Sequence, residues 1–195
     1  MPAGPSRDGL VLWFDAGDSK SITLDGDAVV AWRDRSLPDR QTSVTGKPRV
    51  VRGSFNGRDA VRFDGASSLR AEGCLLKKGQ ITAFMVSRRT DYSAGGPKWQ
   101  RLISIRKDGR PDNKRPSVCM TGTRKGTPEA YPPIIYVLPA SDIEPAPIGI
   151  GAVVDSRPPQ HAFRGDIAEV LVYARGFLAE DSLFDVLRYL SDKWG

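Results

Sequence analysis

Apolar residues fall in short runs along this chain, separated by Gly, Asp, Asn and Pro. Runs rich in Val, Ile, Leu and aromatic residues and bounded by turn residues are typical of β-strands. The pattern predicts strands over residues 10–14, 22–24, 29–32, 49–52, 60–63, 81–86, 101–105 and 163–173, with weaker candidates over 118–120, 134–138 and 148–150. No repeat period emerges, which disfavours a solenoid or a propeller.

Turn residues between some of these runs predict hairpins. Asp25-Gly26 separates the second and third strands, and Asn56-Gly57 separates the fourth and fifth. Both dipeptides favour tight turns between antiparallel strands. In the loop over residues 32–39, Asp34 and Ser36 are expected to bond nearby backbone amides.

The last segment changes its period from two to about 3.6. Apolar residues there recur at helical spacing, which predicts one amphipathic helix over residues 180–193. Its apolar stripe comprises Leu183, Leu187, Leu190 and Trp194, widened by Phe184 and Val186. Acidic residues in its first turn and Lys193 in its last complement the helix dipole. We expect the helix to dock on the sandwich with Trp194 as an anchor.

The strands over residues 10–14 and 163–173 lie at opposite ends of the sequence. If they are neighbours in space, the chain leaves and returns to one place, as a closed β-sandwich requires. We therefore predict an all-β fold with one short C-terminal helix. Residues 9–195 form a single domain in this interpretation, after an N-terminal tail over residues 1–8.

Composition agrees with a folded, turn-rich chain. Gly 20 and Pro 15 suit a protein in which many strands must turn. No apolar run approaches the roughly 20 residues of a membrane span, and the N-terminus carries no hydrophobic signal-peptide core. The expectation is a soluble protein without membrane insertion. Cys74 and Cys119 lie in no CxxC pair, which disfavours zinc, and they form either one disulfide or two core thiols.

Positive charge is concentrated in the middle of the chain. Between residues 88 and 125 there are eleven Lys or Arg residues against three Asp, although the net charge of the whole chain is only +6. Such a patch attracts nucleic acid, anionic polysaccharide or an acidic protein surface, and solvated loops are the alternative. The candidate patch consists of Arg88, Arg89, Lys98, Arg106, Lys107, Arg110, Lys114, Arg115, Arg124 and Lys125, beside Arg101.

Several segments together resemble the concanavalin A-like lectin/glucanase superfamily, and within it the laminin-G-like jelly-roll domains. They are Leu-Val-Leu-Trp-Phe-Asp-Ala at 10–16, Val-Ala-Trp-Arg-Asp-Arg-Ser at 30–36, Ala-Val-Arg-Phe-Asp-Gly at 60–65 and the block at 163–175. The match covers residues 9–86 and 161–195. The resemblance implies a two-sheet antiparallel jelly-roll sandwich that acts in carbohydrate binding or adhesion. Some relatives bind calcium and others are glycosidases.

The residues themselves favour a protein that is not an enzyme. A glycosidase of the usual kind needs two carboxylates about 5–10 Å apart, commonly from alternate positions of one strand. In the closing strand Asp166 comes nearest, but two positions later the chain has Ala168. His161 is the only histidine, and it lies in a Pro-rich loop without a Ser/Asp partner.

Calcium is weakly supported as well. Many laminin-G-like relatives carry Ile-Asp-Glu-Val in the closing strand, where this chain has Ile-Ala-Glu-Val with Ala168. Asp15, Asp18 and Asp64 are candidate oxygen ligands, but Asp in these positions more often holds turns. We expect no metal and no cofactor.

If a sugar is bound, aromatic rings in loops are the expected platform, because a flat ring stacks on a pyranose. The candidate ligand-binding residues are Tyr92, Trp99, Arg101, Asn113 and Tyr131, with Lys98 nearby. Trp13 and Trp32 fall within strand patterns and are expected in the core.

Three functions remain open at this point. The first is a non-catalytic glycan-binding or adhesion module, and the second is a structural or decoration subunit of a virus particle or surface assembly. In the second, the jelly roll binds an acidic protein surface and forms a homo-oligomer or larger assembly. Nucleic-acid binding is the third and rests on charge alone. The family resemblance favours an extracellular, particle-surface or cell-surface location.

Overall fold

The computed structural model describes residues 4–38, 40, 42–71, 79–90, 99–105, 117–121, 134–143, 147–152, 158–159, 161–174 and 179–195. It contains strands β1 (Leu10–Asp15), β2 (Ile22–Asp25), β3 (Ala28–Trp32), β4 (Thr42–Thr45), β5 (Arg49–Phe55), β6 (Arg58–Asp64), β7 (Ser68–Ala71), β8 (Gly79–Arg89), β9 (Trp99–Ile105), β10 (Ser117–Thr121), β11 (Ile134–Ile143), β12 (Ile148–Ile150) and β13 (Arg164–Tyr173). A 3₁₀ turn, Ser19–Ser21, follows β1, and the chain closes with helix α1 (Glu180–Trp194).

The strands form two antiparallel sheets. The larger sheet has the order β11-β8-β13-β6-β5-β3-β2, and β1 pairs with β13 beside this path. The smaller sheet has the order β10-β9-β12-β7-β4. This arrangement confirms the predicted all-β sandwich with one helix near the C-terminus. Within the described residues, no helix has the length and apolar character of a membrane span.

The two strands from opposite ends of the sequence are neighbours, as predicted. β1 runs antiparallel to the second half of β13, with Leu12 opposite Val172 and Phe14 opposite Val170. The first half of β13 pairs instead with β6, and β8 lies along its other edge. β13 is therefore central to the larger sheet, which explains why nearly all of its residues are buried.

The main core lies between the two sheets. Inward side chains of the larger sheet, such as Phe14, Phe63 and Met85, meet Leu102 and Ile150 of the smaller one. Trp32 belongs to this core and stacks on Phe14 with ring centroids 5.3 Å apart. Trp13 is buried too, so both tryptophans lie inside the protein as expected.

Helix α1 docks on the outer face of the larger sheet and builds a second apolar cluster there. Leu190 and Trp194 pack against Phe55, Ala60 and Ala168, which confirms the predicted anchor. Phe184 is 53% exposed, so its assignment to the apolar stripe was wrong, and Tyr189 supplies buried surface instead. A helix needs only about 100° of apolar surface to dock, and Phe184 lies beyond that arc.

The predicted turns and their side-chain hydrogen bonds are present, with one exception. Asn56 and Gly57 both have positive φ, as a tight hairpin turn requires. Asp34 Oδ1 accepts hydrogen bonds from the amides of Trp13 and Ser36, at 2.9 and 2.7 Å. The Ser36 hydroxyl has no hydrogen-bond partner among the described residues, so its expected backbone bond was wrong.

Two strands of the smaller sheet were not predicted from the runs of apolar residues. β4 reads Thr-Ser-Val-Thr and β7 reads Ser-Leu-Arg-Ala, so each carries few large apolar residues. They pair with each other, with Val44 opposite Leu69, at one edge of the sheet. β4 is the edge strand of this sheet, where short, polar strands are common, and β7 lies between β4 and β12 with only Leu69 and Ala71 in the core. A search for apolar runs therefore passes over them.

Candidate functional site

Most of the predicted sugar-binding residues lie outside the described residues. These are Tyr92, Asn113 and Tyr131, together with the side chain of Trp99, whose backbone begins β9. Arg101 is described and half-buried, and its amide donates to the His161 carbonyl at 2.9 Å. The aromatic platform proposed from the sequence therefore stays a prediction.

The structure describes only some residues of the predicted basic patch. Lys98, Arg106, Lys107, Arg110, Lys114, Arg115, Arg124 and Lys125 lie outside the described residues. Arg88 and Arg89 end β8, where Arg88 is half-buried and Arg89 is buried. Arg89 is only 4% exposed, and Arg88 lies over the ring of Phe55, 4.9 Å from its centroid. The sheet register sets Arg88 beside a buried carboxylate of β13, and the basic patch stays a prediction.

That carboxylate is Asp166, which is fully buried. Arg62 Nε and Nη2 donate to its two oxygens at 2.7 and 3.0 Å, and Arg88 Nη2 donates to Oδ2 at 3.1 Å. The Ser54 hydroxyl adds a fourth bond at 2.9 Å. Two guanidinium groups thus share one carboxylate.

The surrounding side chains lie on the same outer face that α1 covers further along. Successive residues of a strand alternate between faces, so residues two apart share one. Ala60 lies beneath α1, and Arg62 and Asp64 follow it on that face, beyond the helix. In β8, Val86 lies beneath the helix, and Arg88 and Thr90 follow it in the same way. Among the described residues, the helix covers one half of the outer face and leaves the other half open.

A surface groove of about 470 Å³ occupies this open half. Four of its lining residues are basic and one is acidic. The lining residues are Lys47, Arg49, Arg62, Phe63, Asp64, Thr90 and Arg164. We call it the cationic groove. It was missed from the sequence because its residues come from separate strands and the turns beside them.

Arg164 is held in place by a glycine turn. It lies opposite Asp64 in the β6–β13 register, and its side chain crosses Gly65. A methyl group added at Gly65, whose φ is +84°, would overlap the Arg164 side chain. The Arg164 amide also donates to the buried Gln100 Oε1 at 2.9 Å. The glycine therefore allows the arginine to lie close to the sheet.

Asp64 is the acidic member of the cationic groove. Partial burial raises the pKa of its carboxyl, but the Ala66 amide, the Ser67 hydroxyl and the positive charge of Arg164 outweigh burial and hold the pKa below its ordinary value. Its Oδ1 accepts from the Ala66 amide at 2.9 Å. The carboxylate is therefore ionised at neutral pH, beside four cations.

A second polar cluster lies beneath α1, around the fully buried Glu169. Trp13 Nε1 and the Tyr189 hydroxyl donate to its Oε1 at 2.6 and 2.8 Å. Lys193 Nζ and Trp194 Nε1 donate to Oε2 at 3.0 and 2.5 Å. Lys193, which was predicted only to complement the helix dipole, is buried here as a partner of Glu169.

The two carboxylates of this cluster, Glu169 and Asp15, are offset by Lys193 and Arg35. Lys193 Nζ also lies 2.7 Å from Asp15 Oδ1, and Asp15 is 2% exposed. Burial raises the pKa of Glu169, while the Lys193 ammonium lowers it and the negative charge of Asp15 raises it. Both carboxylates are sealed under the helix, so this pair forms no open cleft. The cluster holds α1 to the sheet.

The three candidate metal ligands are engaged in local structure. Asp15 accepts from the Gly17 amide at 3.0 Å and pairs with Arg35, while Asp18 accepts from the Lys20 amide at 3.1 Å. Asp64 holds the turn described above. Within the described part of the chain, no three His, Cys, Asp or Glu residues are grouped as metal ligands would be.

Several solved structures share this fold. Trypanosoma rangeli sialidase in complex with sialic acid matches at 14% identity and a TM-score of 0.54, over 98% of this chain and 34% of the sialidase. The same sialidase with 2,3-difluorosialic acid, as a covalent intermediate, matches at 13% identity and a TM-score of 0.54, over 97% of this chain and 34% of that one.

A domain of a second carbohydrate-active enzyme matches less closely. Domain 4 of the GH43 extracellular arabinanase AbnA from Geobacillus stearothermophilus, in complex with arabinotriose, matches at 14% identity and a TM-score of 0.46, over 91% of this chain and 97% of the domain. No family model matches the sequence, and no curated protein is significantly similar to it. The chain spans about a third of the length of the sialidase, and the matched parts share a β-sandwich fold.

Proposed function

We propose that this chain is a non-catalytic carbohydrate-binding domain of the concanavalin A-like, lectin type, and that the cationic groove holds the saccharide. The observation that carries this proposal is the groove itself. It is a polar depression of about 470 Å³ on a rigid sheet face. Binding sites built on strands keep their donors in place better than sites on loops.

The chemistry of the lining suits a sugar. Arg and Lys side chains donate to ring and hydroxyl oxygens, and Asp64 and Thr90 accept from hydroxyl groups. Arg62 is held by two hydrogen bonds to Asp166, and Arg164 lies against Gly65, so two of the donors are ordered before the ligand arrives. Ordering in advance lowers the entropic cost of binding.

The comparisons support the same class of ligand. A sialidase that shares this fold has been solved in complex with sialic acid, and this chain corresponds to about a third of its length. A non-catalytic role also agrees with the burial of Asp15 and Glu169.

An array of neutral and acidic saccharides tests the proposal. The expected result is saturable binding by the chain, lost in the double variant Lys47→Gln with Arg164→Gln. The double variant Lys20→Gln with Arg188→Gln is the matched control, because both residues are exposed, lie outside the groove lining and remove the same two positive charges. Bound saccharides should be recovered uncleaved. Absence of saturable binding, or equal binding by the double variant, would contradict the proposal.

A further inference from the structure

We infer that Gly65 is a positioning residue of the cationic groove: its lack of a side chain sets where the Arg164 guanidinium group lies, and so how tightly a saccharide is held. This role rests on the proposed function, since it concerns the same site. Gly65 follows β6 and is not one of the residues that line the groove. It therefore acts through Arg164.

The space beside Gly65 is filled by Arg164 alone. The three heavy atoms nearest to a methyl group added at Gly65 are Arg164 Nε at 2.3 Å, Cγ at 2.7 Å and Cδ at 3.0 Å. Non-bonded heavy atoms in contact lie about 3.5–4.0 Å apart, so the methyl group would overlap the stem of the side chain as well as its end. Rotation of the guanidinium group alone would not relieve this overlap.

The backbone around this contact is held on both sides. The Gly65 amide donates to the Phe163 carbonyl at 3.0 Å, and the Arg164 amide donates to Gln100 Oε1 at 2.9 Å. The Arg164 carbonyl accepts from the Thr90 amide at 3.1 Å. Separating the two segments would break these hydrogen bonds, whereas a new rotamer of Arg164 breaks none of the three. An added methyl group is therefore expected to move the Arg164 side chain and leave the sheet in place.

The position of Arg164 matters because of its neighbour in the groove. Arg164 lies opposite Asp64 across the β6–β13 pair, so a donor and an acceptor line the groove together. Asp64 is held separately, because its Oδ1 accepts from the Ala66 amide at 2.9 Å. Arg164 has further interactions in the folded protein, and it lines the groove while engaged in them. Binding groups have to be held within roughly 0.5 Å of their productive geometry, so displacement of Arg164 weakens a ligand that bonds to both residues.

Backbone strain has to be separated from this close approach. Gly65 has a φ of +84°, at which a residue with a side chain is strained whatever space surrounds it. Gly57, in the β5–β6 hairpin, has a similar φ of +73°, but a methyl group added there meets nothing within 4 Å. Gly57 also lies outside the groove lining. Gly57→Ala therefore introduces the strain without the overlap and is the matched control.

Calorimetric titration with a saccharide that binds the chain on the array measures the effect. Gly65→Ala should weaken binding about tenfold or more, as expected for the loss of one hydrogen bond from a charged donor, and Gly57→Ala should leave the affinity unchanged. In an Arg164→Ala background, Gly65→Ala should weaken binding by no more than about twofold, because the side chain through which it acts is gone. The NMR resonance of the Arg164 Nε–Hε group should shift in Gly65→Ala and stay in place in Gly57→Ala.

Urea unfolding shows whether each variant is folded under the conditions of the titration. If Gly65→Ala alone is too unstable to titrate, the double variant with Arg164→Ala removes the overlap. Recovery of its stability to that of Gly57→Ala would support the contact, and no recovery would overturn the positioning role. Equal affinity of Gly65→Ala and the unsubstituted protein, or the same loss with and without Arg164, would also overturn that role while leaving the proposed function standing. Absence of saccharide binding by the unsubstituted protein would overturn both.

Discussion

Replacing Glu169 with glutamine tests how helix α1 is held to the larger sheet. The carboxylate is fully buried and accepts four hydrogen bonds, two at each oxygen. An amide of the same shape has one oxygen and one NH₂ group. In either orientation, the NH₂ group of Glu169→Gln faces two donors that have lost their acceptor.

The size of the effect follows from these contacts. One orientation opposes the amide to Trp13 and Tyr189, and the other opposes it to Lys193 and Trp194. The variant also removes the charge that faces the buried ammonium of Lys193. Breaking a buried ion pair by removing one partner costs about 3–5 kcal/mol. For a chain of this length that loss corresponds to a fall in Tm of roughly 6–20 °C.

Urea unfolding followed by tryptophan fluorescence measures the free energy directly, because Trp13 and Trp194 both donate to Glu169. Glu180→Gln serves as the control. Glu180 is exposed in the first turn of α1, so its replacement should cost only about 0.5 kcal/mol through the helix dipole. A loss for Glu169→Gln no greater than that of the control would refute this account of how the helix is held.

Three further predictions concern titration, the Asp166 cluster and the helix surface. Burial and the negative charge of Glu169 raise the pKa of Tyr173 and Tyr189. The protonated phenols therefore stabilise the folded state below about pH 10, and this stabilisation is lost as the pH rises further. An ultraviolet titration should show the two tyrosines ionising at a higher pH in the folded protein than in urea. Asp166→Asn should destabilise the protein by about 2–3 kcal/mol in urea, since charge-assisted bonds to a buried acceptor are weakened; an unchanged midpoint would contradict this. Phe184→Ser should change the free energy of unfolding by under about 0.5 kcal/mol, whereas Leu190→Ala should lower it by about 2–5 kcal/mol. Similar losses for both variants would show that the helix docks through another face.

The sequence predicted those parts of the fold that depend on local pattern. Strands with large apolar residues were identified, as were both hairpins, because Asn56-Gly57 and Asp25-Gly26 encode their turns in two adjacent residues. The pairing of β1 with β13 was reached from a resemblance and from the need to close the sandwich. The polar edge strand β4 and its neighbour β7 carry no such signal, since few of their side chains enter the core.

The candidate site was much less predictable, because it depends on register between strands distant in sequence. Arg88 was read as part of a basic patch from its neighbours along the chain, yet Asp166 lies opposite it in the sheet. Lys193 reads as a solvated residue in any helical pattern, and only the position of Glu169 makes it a buried one. One signal was present: Glu169 is an acidic residue within an otherwise apolar stretch of β13. Such a residue requires buried partners.

The most direct test of the central claim is to map where a saccharide binds. Backbone amide resonances are followed by NMR while a saccharide that binds the chain on the array is added. We predict that the largest changes occur at Gly65, Thr90 and Arg164 around the cationic groove, with resonances of α1 unchanged around Arg188. Saturable changes confined to another surface, with the groove resonances unmoved, would contradict the assignment of the groove as the binding site.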